Sequence, residues 1–545
     1  MNIDAKIDQV SIKKEQNKEM RFKYRHGGTA GLLKAAAAIT AFIGALTPAL
    51  CQIPVNTISK APDITKVPTL YEVGYSHLDT EWCWMYPQVI DEFIGNTLHQ
   101  NFALFDKYPD YVFNWTGANR YRYMKEYYPV EYAKVKTYVA AGRWVNTGSS
   151  LEEGDVNVPS EESIIRQVMY GNEFFNKEFH SSSSDFILPD CFGFPASLPS
   201  ILAHCGLNGF ATQKLTWGSG ERTMGVNGIP FDLGVWVGPD NQGVFAALNA
   251  GDYNAPLRGD VSNNANWLSR LNADGASTGI YAIYNYYGVG DRGGSVRDSD
   301  AANLETSLHS GGPVHVVSAR SDQVFNDLEK VDTSKLLRYK GDLLLTQHSA
   351  GSPTSQVEMK RWNHENEKIA DATERASVAA DWLGALPYDK DRITDAWWKF
   401  LPGQFHDLLA GTALPMAYEY AWNDEVLALN EFAGQLQEAV GGVSRGLNTS
   451  GSGIPIVVYN PISTQRQDDV TANVKFPGAA PTSVDVTGPN GESVPSQIES
   501  RTGSSVKVLF LATVPSVSYT TFFVKPAAQT PTASVSSPHG TYSPS

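Results

Sequence analysis

A histidine and an aspartate two positions apart, His77 and Asp79, close an apolar run that opens at Thr69. On an extended strand, residues two apart face the same side, so both side chains converge while Leu78 turns away. An imidazole nitrogen beside a carboxylate oxygen suits a cation of the Zn²⁺ type. Taken alone, the pair reads as a structural hydrogen bond; two later strings give it more meaning. Asp190, in Leu188-Pro189-Asp190-Cys191-Phe192-Gly193, stands at the end of a second apolar run. There a carboxylate can attack a carbon, bind a metal, or do both. His406, in Gly403-Gln404-Phe405-His406-Asp407, offers a second imidazole. His77, Asp79, Asp190 and His406 thus make a set of two histidines and two carboxylates, donor types that ligate zinc. Trp82 adds a flat apolar platform of the kind sugar rings pack on.

These residues must be held by strand ends. From Val67 onward, β-like runs alternate with helical ones: 69–76, 111–117, 142–145 and 185–190 as strands, with helices across 87–107, 121–141, 160–178 and 197–204 between them. Ser160, followed by Glu161 and Glu162, is an N-cap with acidic residues in the first turn. Strand then helix, repeated, predicts a parallel α/β, barrel-like domain over 66–330 with its functional residues at strand C-termini. Further strands are expected at 233–248, 278–287 and 313–318, with a Gly/Asn-rich loop between the first two. Past residue 331 the pattern turns helical (358–383, 394–401, 414–440), which predicts a helical bundle over 331–447. After the linker Asn448–Ser452, Pro- and Gly-broken strands over 453–525 predict an all-β sandwich, short enough to be incomplete. The stretch 526–545, rich in Pro, Ser and Thr, reads as a disordered tail.

Composition bounds the rest. A chain of 545 residues with 42% hydrophobic and 19% charged residues has material for several globular domains. A net charge of −15 without a basic stripe excludes the usual electrostatics of nucleic-acid binding. Four cysteines (Cys51, Cys83, Cys191, Cys205) are too few for a disulfide framework; Cys83 and Cys191, beside the two chemical strings, read as packed thiols, with one disulfide as the alternative. At the N-terminus, Met20 opens a basic segment, an apolar run spans Ala35–Leu46, and Ala49-Leu50-Cys51 approximates a small-x-small cleavage site. Residues 1–51 are therefore expected to be an export segment with its true start at Met20, leaving a periplasmic or secreted protein. The apolar run is too short to span a bilayer, and no other segment is long enough.

Read together, the strings SHLDTEW, LPDCFG and GQFHDLLAGT resemble the metal, nucleophile and late-histidine motifs of the α-mannosidases of glycoside hydrolase family 38. The resemblance runs over roughly residues 67–511, with weaker matches at EEGDVNVPSEESIIRQ, ATQKLTW, YYGVGDRGG and TSQVEMKRWN. It implies a retaining glycosidase acting on mannose-containing glycans with one bound divalent ion, usually zinc. Carried over by motif, His77, Asp79, Asp190 and His406 ligate the ion, Asp190 is also the nucleophile, and Trp82 packs under the reacting sugar. The general acid is assigned to Asp322, in SARSDQVF, with Asp327 and Glu329 as neighbours that could replace it and a helix N-cap as its ordinary role. Asp407, Asp155, Lys214 and Asp291 are candidate contacts to sugar hydroxyls. Two other readings use the same metal set: a metal-dependent carbohydrate deacetylase, in which the ion activates water, and a sugar-binding relic without turnover.

Overall fold

A computed structural model of the chain describes residues 61–217 and 228–527. The expected export segment at 1–51, with Met20 and Cys51, and the tail beyond Ala527 lie outside the described residues. Ten strands run through the α/β region: β1 (Thr69–Ser76), β2 (Phe113–Trp115), β3 (Trp144–Asn146), β4 (Asp185–Ile187), β5 (Gly209–Ala211), β6 (Leu233–Val237), β7 (Gly243–Ala247), β8 (Ala282–Val289), β9 (His315–Ser318) and β10 (Arg338–Lys340). All eight residues of β1 are buried. A strand covered on both faces needs a nearly continuous apolar run, which TLYEVGYS supplies apart from Glu72. One whole edge of β1 pairs in parallel with β8, from Thr69 opposite Ala282 to Ser76 opposite Val289. Its other edge is shared, β9 taking Thr69–Glu72 and β2 taking Gly74 and Tyr75. Gly74 is required there, because a Cβ would lie 2.8 Å from both the Tyr287 hydroxyl and the Val112 carbonyl.

The second sheet has the order β10-β6-β7-β5-β4, parallel throughout except where β6 meets β7. Helices cover these sheets, among them Glu161–Phe179, where the Ser160 side chain accepts from the Ser163 N–H as its sequence predicts. Four expectations change. The run 233–248 is an antiparallel hairpin rather than one strand. Helix Ala265–Thr278 occupies the loop expected before β8, because the Asn264 side chain caps its first turn and Gly279, at φ +77°, ends it. The helix expected over 121–141 breaks at Tyr128, and Pro129 starts a second one. Finally, β10 pairs with β6, so the α/β sheet continues past residue 331.

Helices Val357–Trp382, Lys390–Phe400 and Pro415–Gly446 form the next layer, packed through Trp397, Phe400 and Phe432. Seven antiparallel strands follow: β11 (Ile454–Asn460), β12 (Arg466–Lys475), β13 (Val484–Thr487), β14 (Ser493–Val494), β15 (Ser496–Thr502), β16 (Ser505–Val514) and β17 (Ser518–Pro526). They make two sheets, β11-β17-β13-β14 and β12-β16-β15, closed over Val508, Phe510, Phe522 and Val524. Among the described residues, Cys83, Cys191 and Cys205 are free thiols, and no helix is long and apolar enough to cross a membrane.

Candidate active site

The fold brings three strand ends to one mouth. His77 and Asp79 follow β1, Asp190 follows β4, and Asp291 follows β8, whose last residue lies opposite the last residue of β1. His406 arrives from the helical region, where Phe405 makes a β-bridge with Gly154. His77 Nε2 lies 2.9 Å from Asp79 Oδ1 and 4.0 Å from Asp190 Oδ2. His406 Nε2 lies 3.4 Å from Asp79 Oδ1 and 3.6 Å from Asp407 Oδ2. The donor atoms of His77, Asp190 and His406 all lie within 4.8 Å of one another. Ligands bonded at about 2.1 Å in a tetrahedron sit about 3.4 Å apart, so these spacings suit one small cation.

Glu153 sets both imidazoles. Its carboxylate Oε2 lies 3.2 Å from His77 Nδ1, and its main-chain carbonyl accepts from His406 Nδ1 at 2.9 Å. The bonded acceptor on His406 Nδ1 fixes the proton there, and the Glu153 carboxylate beside His77 Nδ1 favours the same tautomer, which leaves each Nε2 lone pair facing the cluster, the usual second-sphere arrangement of metal-binding histidines. His406 Nε2 is buried and has no hydrogen-bond partner among the described residues. Glu153 is held in turn by Arg120 Nη1 at 2.8 Å and by the Tyr75 hydroxyl at 2.6 Å.

The electrostatics call for positive charge. Burial disfavours an imidazolium at His406, yet the Asp79 carboxylate 3.4 Å away and the charges of Asp407 and Asp190 outweigh burial and lift it to about 9. His77 is likewise raised against its own burial, by Asp79 and Glu153. The crowded carboxylates thus favour positive charge beside them, a demand that a divalent ion would meet with both imidazoles neutral, and the mixed N and O donor set fits such an ion.

A cleft of about 280 Å³ opens over this floor, lined by Trp82, Phe192, Lys214, Trp217, Tyr253, Asp291, His348, Asp407 and Thr412 together with Asp79 and Asp190. Trp82, Asp407, Lys214 and Asp291 therefore line it, as expected for sugar contacts. Lys214 has a more specific place, because its ammonium pairs with Asp190 Oδ1. Tyr253, which the sequence reading missed, donates to Asp190 Oδ2 at 3.0 Å and lies 2.8 Å from Asp291 Oδ1. Its signal was a lone aromatic in the small polar string Gly251-Asp252-Tyr253-Asn254. Two carboxylate oxygens on one phenol oxygen cannot be more than about 6 Å apart, a ceiling compatible with the ~5–5.5 Å spacing of retaining glycosidases. Burial raises Asp291, and the charges of Asp79 and Asp190 add to it against the pull of His77 and Tyr253.

Two assignments are corrected. Asp322 does not line the cleft: Arg320 holds it through two bonds of 3.0 and 3.2 Å, and it accepts from the Ser184 N–H just before β4. Asp190 follows the far end of β4, on the order of 15–20 Å along the chain. The expected side-chain N-cap bond is absent as well. Its neighbour Asp327 is engaged by Tyr71 and Lys330. Asp155 is buried and accepts from the N–H groups of Asn157 and Val158 at 2.8 Å, shaping a turn instead of facing sugar.

Residues 68–342 match the family described as Glycosyl hydrolases family 38 N-terminal domain, and 332–441 match the Alpha mannosidase middle domain. Alpha-mannosidase G of Dictyostelium discoideum is 31% identical over 357 residues, which is 64% of this chain and 31% of that protein. Alpha-mannosidase 2C1 of Homo sapiens is 29% identical over 354 residues, 65% of this chain and 33% of that protein. The matched part is thus about a third of the length of these relatives. In fold, the chain is similar to a crystal structure of an alpha-mannosidase from Enterococcus faecalis V583, with TM-score 0.66 and 19% identity, covering 86% of this chain and 57% of that one.

Proposed function

The chain belongs to glycosyl hydrolase family 38, and from that premise we propose that it is an exported, metal-assisted retaining α-mannosidase acting on terminal α-mannosides of glycans. The phenol shared by Asp190 and Asp291 carries the mechanistic part. His77, Asp79, Asp190 and His406 would hold the ion, for which the N and O donors favour zinc. When bound, it supplies a Lewis acid that grips and orients sugar hydroxyls.

Asp190 is the nucleophile, its carboxylate held in place by the Lys214 ammonium. Its carboxylate oxygen bonds to C1 while Asp291, protonated at the start, gives its proton to the departing glycosidic oxygen. The Asp291 carboxylate then takes a proton from water, whose oxygen attacks C1 and releases Asp190. Asp407 and Trp82, which line the same cleft, bind the reacting ring.

Hydrolysis of α-mannobiose tests this, with NMR expected to show α-mannose as the first product. Asp291→Asn should lower that rate by ~10²–10⁴. Azide, which needs no general base, should restore turnover of α-mannosyl fluoride by the variant as α-mannosyl azide. Wild-type rates on mannobiose in Asp291→Asn would remove Asp291 from the role, and acetate release from acetylated glycans without mannoside cleavage would favour the deacetylase. The basic-then-apolar segment within 1–51 supports export, which N-terminal sequencing of the protein recovered from the medium or periplasm would check.

A further inference from the structure

One wall of the cleft is aromatic, and beyond Tyr253 it has no part in the metal set or in proton transfer. It begins at Tyr253, whose ring lies 4.7 Å from that of His77, and continues to Trp217, 5.8 Å from Tyr253. It ends at His348, edge-on to Trp217 at 5.1 Å. Exposure rises along this series: Tyr253 is buried, Trp217 half-buried and His348 exposed. Trp217 is fixed on its inner side by the Lys214 ammonium, 4.8 Å from its ring, the same ammonium that pairs with Asp190. At the rim, His348 Nδ1 is bonded to the Ser349 hydroxyl at 2.9 Å, and among the described residues Nε2 makes no hydrogen bond.

Two further observations say what this wall receives. The cleft volume of about 280 Å³ is at the small end of ligand pockets, so the reacting sugar fills the floor and a second ring must sit toward the rim. Asp291 hangs on Tyr253, where the wall starts. A leaving oxygen protonated by Asp291 therefore departs on this side.

We propose that Trp217 and His348 form the subsite for the leaving sugar, a pyranose ring packing its C–H face on the indole while His348 Nε2 bonds one of its hydroxyls. This rests on the mannosidase reading and adds the element that selects the sugar beneath the terminal mannose. A flat apolar platform with one polar handle is the usual composition of such a contact.

The test compares kcat/KM for α-mannobiose with that for α-mannosyl fluoride, whose leaving group has no ring. In Trp217→Ala and His348→Ala the mannobiose-to-fluoride ratio should fall by about tenfold, since binding energy from the second ring is spent at the transition state. His348→Ala changes an exposed side chain and keeps the test valid should Trp217→Ala disturb Lys214. A ratio equal to that of wild type, whether both rates fall together or neither does, overturns the subsite. Wild-type protein inactive on both substrates would instead overturn the mannosidase reading and the subsite with it.

Discussion

Glu153 needs no contact with substrate to matter, because it decides which nitrogen of each histidine is available. Burial of that carboxylate is offset by Arg120 and His77, which hold it well below the usual carboxylate range. Glu72 is the contrasting case. It is wholly buried in β1, one oxygen takes a bond from Asn285 at 2.9 Å and the other has none, and burial lifts it from 4.5 to about 8. The folded chain therefore keeps a proton on Glu72 that the unfolded chain has already lost between about pH 4.5 and 8. Stability from this group is complete at low pH and falls by about 1.4 kcal/mol per pH unit across that window. Glu72→Gln, neutral and of the same shape, should flatten the fall in denaturant midpoint between pH 5 and pH 8. Parallel curves for variant and wild type would show that Glu72 is ionised in the fold.

Strand length decides which carboxylate reaches the site. β8 runs beside β1 to its last residue, so Asp291 emerges beside Asp79, whose N–H bonds the Asp291 carbonyl at 2.8 Å. β9 stops opposite Glu72, four residues and about 13 Å short of the end of β1, and Asp322, which follows it, is bonded by the Ser184 N–H ahead of β4. Sequence could not decide between them, since both aspartates follow an apolar run and the difference lies in pairing across more than two hundred positions. His77, Asp79, Asp190 and His406 were legible because each sits in its own distinctive string. Tyr253 and Glu153 were not, because their roles depend on groups from other elements. The helix Glu161–Phe179 braces the Glu152–Glu153 turn, and Gly171 lets it come close: a Cβ there would lie 2.3 Å from the Ser150 carbonyl carbon and 2.7 Å from Leu151 N. Helix propensity alone says Gly171→Ala stabilises by about 1 kcal/mol. Contact with main-chain atoms should win, costing ~1–3 kcal/mol, and a rise in unfolding midpoint would contradict that packing.

Across the whole molecule, the cluster joins regions far apart in sequence. His77, Asp79 and Asp190 belong to the α/β sheets, whereas His406 belongs to the helical layer and is tied to Glu153 by a bond spanning 253 positions. A bound ion would stabilise the folded chain by mass action and leave the unfolded chain unaffected. Chelation should therefore lower the apparent Tm by several degrees and abolish mannoside hydrolysis together, with both restored by added zinc. An unchanged Tm after rigorous chelation would argue against an ion at this junction. The late arrival of His406 also bears on biogenesis. A ribosome has made three of the four donors long before it reaches the fourth, so a nascent chain stalled ahead of Phe405 presents an open trio of ligands with neither Nε2 of His406 nor the Phe405–Gly154 β-bridge. Were an ion bound here, its ligand set would be complete only after His406 had been made, and for an exported chain the ion would come from the compartment where folding finishes, not from the one where synthesis began.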